Sequence, residues 1–242
     1  MRAVTAARYV LPLREGGSLP GLIEDDAGAL WVTKFRAAGQ GIGALVAEVI
    51  AGTLARTAGL PAPELVRLVI PKGFGLTDGD PEIHDLLVAS EGDNLGLHFL
   101  SAAIGFDPAA HETVDPALAA KIVAFDVLVS NVDRTVRNPN LVWCGGQLWL
   151  IDHGAALYWH HAWDGGIGNP RAALPRLHDH ALWPFAGDLD AAARELAAQL
   201  PDAALDAALA EVPTGWIDDA RRPQYVARLA TRRDALVEAL HG

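Results

Sequence analysis

The spacing of apolar positions changes character several times along the chain, and each change marks a different kind of element. Residues 8–13, 21–24 and 29–35 read as three short strands; the third alternates apolar with polar side chains, and an Asp-Asp-Ala-Gly turn at 25–28 leads into it. The period then becomes helical. Leu45, Val46, Val49, Ile50 and Leu54 predict one helix over residues 41–60, with Gly59 and Pro61 to stop it. A β-branched and leucine run at 64–70 predicts a fourth strand, and 78–82 a turn. Residues 83–90 form a short apolar segment, 91–94 a polar connection and 95–105 a short helix. Asp115-Pro116 opens a further helix to about residue 130, with Asp as cap and Pro at the first helical position.

Two β-rich runs follow, at 141–144 and 147–151, and the Gly145-Gly146 link between them is a strong hairpin signal. An aromatic, glycine-rich stretch comes next. The chain then returns to three- and four-residue apolar steps at 188–200, 202–211 and 223–240, divided by Pro201 and by residues 213–217, with Asp190 and Asp218 as caps or first-turn acids. Strands with one helix followed by mostly helices predict an α+β fold. The expected division is residues 1–90, a small sheet with one helix, and residues 91–242, mainly helical support, acting as a single unit.

Composition narrows the class. The chain has 242 residues, 51% hydrophobic and 20% charged, which is globular and long enough for a sizeable core. A formal charge of −11 argues against a broad nucleic-acid or acidic-membrane face. The single Cys144 excludes an internal disulfide and a cysteine-rich zinc site. The amino-terminal stretch lacks the apolar core of a signal peptide, and no uncharged run approaches the ~18 apolar residues of a membrane helix. A soluble, cytoplasmic protein is the expectation.

The candidate chemistry lies between residues 131 and 154. Asp133 and Asn138 stand five apart in an Asn/Asp/Arg-rich loop, and the hairpin delivers Asp152, followed by His153 and Gly154. Phosphoryl transfer uses such a set: one carboxylate accepts the hydroxyl proton, while an Asn and another Asp hold magnesium against the phosphates. Magnesium favours hard oxygen ligands and takes few from protein. The Asp-x-x-x-x-Asn spacing matches the kinase catalytic loop, and Ile-Asp-His-Gly stands where protein kinases carry Asp-Phe-Gly.

On these residues the sequence resembles the HipA-like kinases and, more distantly, the phosphoinositide-kinase-like group, whose loop also reads Asp-Arg before the Asn. The resemblance implies a two-lobed kinase-like fold and an ATP- and Mg2+-dependent phosphotransferase, with a protein serine or threonine as the favoured acceptor. It implies Asp133 as catalytic base and Asn138 and Asp152 as metal ligands. Lys34, at the end of the third strand, then positions phosphates, and Glu48, the lone acid on the 41–60 helix, orients Lys34. Gly16, Gly17 and Ser18 either turn N–H groups toward phosphate or form a plain connection. The segment before the 91–94 connection leads to the adenine-binding hinge, with Val88, Ala89 and Ser90 as its candidates.

Several residues keep two readings. Arg134 and Arg137 suit either phosphate and substrate contacts or salt-bridged support. Asn140 takes the metal in place of Asn138 if the register slips by two. Asp126 and Asn131 read as anchors of the loop. His160 and His161, being adjacent, are expected to diverge and not to chelate, and His178 and His180 are expected to be satisfied or exposed. Three rivals remain: a nucleotide-binding pseudokinase or partner-binding module, a metal phosphohydrolase built on the histidines, and transfer of a nucleotidyl group by the same residues.

Overall fold

A computed structural model describes residues 1–13, 19–39, 41–76, 79–110, 113–163 and 168–241. Gly16, Gly17 and Ser18, the expected phosphate loop, lie outside the described residues. The amino-terminal part is a five-stranded barrel of β1 (Ala3–Pro12), β2 (Gly21–Asp25), β3 (Leu30–Lys34), β4 (Leu65–Ile70) and β5 (Gly92–His98), in the order β1-β2-β3-β5-β4. Closure comes from β4, which runs parallel to β1 through Ala3–Thr5, a stretch ahead of the strand expected at 8–13. The β1–β2 ladder shifts register twice, between Ala6 and Arg8 and between Tyr9 and Leu11, giving the local bends that a small closed sheet requires. Ile23, Trp31, Val66 and Leu68 fill the interior.

The connection expected at residues 91–94, with residues 83–90 leading to it, is corrected by this topology. Residues 92–98 form β5, hydrogen-bonded to β3 on one side and β4 on the other, so the sheet runs past the division expected at residue 90. The short helix expected over 95–105 is likewise β5 followed by β6 (Ile104–Gly105). Gly96 suits the middle of the barrel, since a Cβ there would meet Val66 Cγ2 at 2.7 Å. The helix instead precedes the strand: α2 (Pro81–Ala89) is opened by Asp80, whose carboxylate accepts from the Glu82 N–H, with Pro81 in the first turn. Val88 is exposed near the end of α2, and Ser90 is its buried C-cap.

Between β3 and β4 the chain forms α1 (Gly41–Thr57), buried on nearly every face. It joins a second, larger core built on α3 (Pro116–Leu128), α4 (Leu189–Gln199), α5 (Asp202–Ala210), α6 (Arg222–Asp234) and α7 (Leu236–His241). α1 packs on α5, while α3 packs on α4 and α7. Asp115 and Asp188 cap α3 and α4. The single helix expected over 223–240 is broken at Ala235 into α6 and α7. β7 (Leu141–Cys144) and β8 (Gln147–Leu150) form the expected hairpin, with Gly145 and Gly146 at φ +60° and +76°, the paired left-handed conformation of a tight two-residue turn.

Candidate active site

Two helices buried almost all round each carry one acid, and each acid is met by a cation. In α1 the acid is Glu48, fully buried; Lys34, the last residue of β3, donates from Nζ to Glu48 Oε2 at 2.6 Å. The same ammonium donates to Asp152 Oδ1 at 2.7 Å, so one lysine joins barrel, helix and hairpin. Burial alone would raise the Glu48 pKa, but Lys34 and His153 outweigh it and hold the carboxyl well below its usual range. Burial would likewise lower Lys34, and the Glu48 and Asp152 charges push it up instead. His153 is the partner that spacing arguments miss: it is buried, with Nδ1 3.6 Å from Glu48 Oε1 and its ring edge-on to Phe125. Its place directly after Asp152 was the available signal.

In α3 the acid is Asp126, also fully buried. Arg134 Nε donates to Asp126 Oδ2 at 2.6 Å, His180 Nε2 lies 2.9 Å from the same oxygen, and Asn131 Nδ2 donates to Oδ1 at 3.0 Å. Asn131 Oδ1 in turn accepts the Asp133 N–H at 3.2 Å, which makes Asn131 the link between anchor and loop. The two roles open to Arg134 are decided by burial: Arg134 is support. Its Nη1 donates to the carbonyls of Asn140 and, at 3.2 Å, Ile151. These carbonyls flank strained backbone, because Asn140 has φ +49° and Asp152 φ +54°, a region Asn and Asp tolerate better than most residues.

Asp133 sits half-exposed above this network. Its Oδ2 accepts from Asn138 Nδ2 at 2.7 Å and Asn140 Nδ2 at 3.3 Å. Burial, together with the nearby Asp152 charge, raises its pKa against the opposing effect of the two amides. Asn138 thus offers its N–H face to Asp133, leaving its Oδ1 for another partner; among the described residues Asp152, 47% exposed, has Oδ1 alone engaged, by Lys34 and by the Gly154 N–H at 3.3 Å. Both are hard oxygens of the kind a divalent cation takes alongside phosphate and water. A depression lined by Lys34, Phe35, Gly41, Leu45 and Gly154 adjoins Asp152.

Of the expected site residues, the fold brings together Lys34, Glu48, Asp152, Asp133 and Asn138, with Asn140 beside them. It does not bring Val88 and Ser90 to a loop leaving the barrel. The histidines find other work. His180 accepts the Leu182 N–H on Nδ1 at 3.0 Å, which leaves Nε2–H to donate to Asp126. His178 stands edge-on to Trp183 at 4.5 Å. His160 and His161 do not diverge as expected: on the turn Tyr158–Ala162 their Nε2 atoms are 3.1 Å apart, held by packing against Gly43 and by a 3.1 Å contact between His160 Nδ1 and the Tyr225 hydroxyl. Burial, aided by His161, pushes His160 down to about 4, so it enters this contact neutral near pH 7.

Both buried acids are depressed, and this fixes the sign of the acid response. The folded state binds fewer protons than the unfolded chain near the ordinary carboxylate pKa values, so their stabilisation is complete above about pH 5 and falls as pH drops. Urea midpoints are therefore expected to hold between pH 5 and 7 and to fall steeply below about pH 4. In Asp126→Asn the residual acid slope should be shallower.

The barrel with its inserted α1, followed by the helical core, is the α+β fold of kinase-like enzymes. The solved structure of a Helicobacter pylori proinflammatory kinase, CtkA, matches with a TM-score of 0.67 at 11% identity, over 98% of this chain and 95% of that one. The Golgi casein kinase, solved with Mn/ADP bound, matches with a TM-score of 0.51 at 12% identity, over 98% and 74%. Residues 9–165 match the family model for HipA-like kinases, and the chain belongs to that family. No curated protein matches the chain by sequence.

Proposed function

We propose that this HipA-like kinase transfers the γ-phosphoryl group of Mg-ATP to a hydroxyl, with a protein serine or threonine as acceptor. The barrel serves as one lobe and the helical core as the other. The observation that carries the reading is Lys34, which binds Glu48 and Asp152 at once and so draws the barrel's cation to the end of the hairpin. The Golgi kinase of related fold, solved with Mn/ADP bound, supports nucleotide binding.

Asp133 is the base. Asn138 and Asn140 occupy its Oδ2, leaving Oδ1 for the acceptor hydroxyl, and burial beside Asp152 raises its proton affinity. As Asp133 takes the proton, the acceptor oxygen bonds to the γ-phosphorus and the bond to the β–γ bridging oxygen breaks, releasing ADP. Lys34 holds phosphate oxygens, Glu48 holds Lys34, and Asn138 Oδ1 and Asp152 Oδ2 are the metal ligands. Magnesium bound there would neutralise phosphate charge.

Thermal unfolding with and without Mg-ATP tests the nucleotide step. Saturation to about 100 Kd should raise Tm by roughly 5–10 °C. Lys34→Met is expected to remove most of that ligand-induced increment, and the absence of any increment in the wild type would overturn the proposal. Intact mass of the modified acceptor separates phosphate from nucleotidyl transfer, because the two add different masses.

A further inference from the structure

The phosphate donor accounts for Lys34 at Asp152 but leaves Arg137, four residues from Asp133 in the same loop, without work. The chain is acidic, and its described arginines are nearly all engaged. Arg8 and Arg67 pair with Glu24 and Asp93, Arg176 with Asp179, and the others with acids, carbonyls or aromatic rings. Among the described residues, the guanidinium groups of Arg36 and Arg137 alone have no such partner. Arg137 is exposed at the tip of a tight turn in which Thr135 and Asn138 exchange backbone hydrogen bonds at 3.1 Å in both directions. That turn is rigidly tied: Asn138 holds Asp133 Oδ2, and the Val136 N–H donates to the Asp179 carbonyl at 3.0 Å. Exposed Val136 stands next to it.

A rigid loop presenting an unpaired guanidinium one residue from Asn138, in a protein of formal charge −11, is an unused anion-binding group in the same loop as the proposed base. The nucleotide phosphates already have Lys34, and the metal that Asn138 and Asp152 would hold, to meet their charge. We infer that Arg137 recognises the acceptor: it binds a carboxylate carried close in sequence to the hydroxyl, and selects acidic peptide segments. This rests on the phosphotransferase reading above and adds the class of substrate. Arg137 is here a specificity-determining residue, and the proton transfer stays with Asp133.

The test uses the full chain, Mg-ATP and a phosphatase-treated tryptic peptide library, with phosphopeptides identified by mass spectrometry and Asp133→Ala as the blank. Wild-type phosphosites should be enriched for Asp and Glu within a few residues of the modified hydroxyl. On a synthetic peptide drawn from the hits, Glu→Gln beside the hydroxyl should raise KM by about fivefold, the worth of one solvent-facing charge-assisted pair. Arg137→Ala should erase the difference between the Glu and Gln peptides, and Arg137→Glu should turn the preference toward Lys. Phosphosites without acidic enrichment, or an acidic preference that survives Arg137→Glu, would overturn the inference while leaving the phosphotransferase intact. An Mg-ATP-stabilised protein that modifies no peptide above the blank would remove the protein-kinase reading and this inference with it.

Discussion

Asp133→Ala is expected to lower phosphoryl transfer by about 10²–10⁴-fold while leaving most of the Mg-ATP-induced rise in Tm in place, because the change removes a proton acceptor and the partner of the Asn138 amide without touching Lys34 or Asp152. Asp133→Asn should behave alike. An amide keeps the size of the side chain but has no basic lone pair in reserve, and its NH2 faces the donors on Asn138 and Asn140. The loop itself should survive both changes. Its main anchor is the buried Asp126–Asn131–Arg134 cluster, and Asp133 contributes to that cluster only through its backbone. Single-turnover phosphate transfer and circular dichroism on the same samples check the point. Near-wild-type transfer by either variant would remove Asp133 from the mechanism and shift attention to another base.

How much of this could be read along the chain depends on how local each signal was. The Lys34–Glu48 contact was legible because a lone acid on an apolar helix needs a cation, and the preceding strand ends in one. The hairpin was legible because Gly-Gly fixes its turn. The strand β5 was not. Asn94, Leu95, Gly96 and Leu97 are buried in succession between β3 and β4, and a central strand covered on both faces loses the alternation by which strands are recognised. With β5 unseen, the hinge was placed on α2, and Val88 and Ser90 with it. The Arg134/Arg137 ambiguity was also inherent in the pattern. Both arginines lie within four residues of Asp133 in sequence, and only burial separates the one that ties the loop from the one that faces solvent. His180 was beyond reach for a different reason, since its partner Asp126 is 54 residues earlier.

Arg134→Leu should cost about 3–5 kcal/mol of stability, the usual penalty for leaving one half of a buried ion pair alone. Asp126 would keep His180 and Asn131 but lose its only arginine, in a site with no access to water. At the same time the Ile151 carbonyl loses its arginine donor, and the Asn140 carbonyl loses one of two donors and keeps the Ile151 N–H. Those carbonyls adjoin the left-handed residues Asn140 and Asp152, so the variant should relax the backbone that aims one amide at Asp133 and one carboxylate at Lys34. Global and local effects are separable by amide exchange under native conditions. The Ile151 N–H, bonded to the Asn140 carbonyl at 3.1 Å, should exchange faster by more than the global loss of stability explains. The Leu150 N–H, bonded to Pro61 on the barrel side at 2.7 Å, should track global unfolding alone. If both amides slow or quicken together, Arg134 contributes to stability in general and does not lock the site. If Ile151 alone departs, the arginine after the base is what keeps the 131–140 loop in register with the hairpin, and the spacing between Asp133 and Asp152 in sequence becomes a fixed spacing in the cleft.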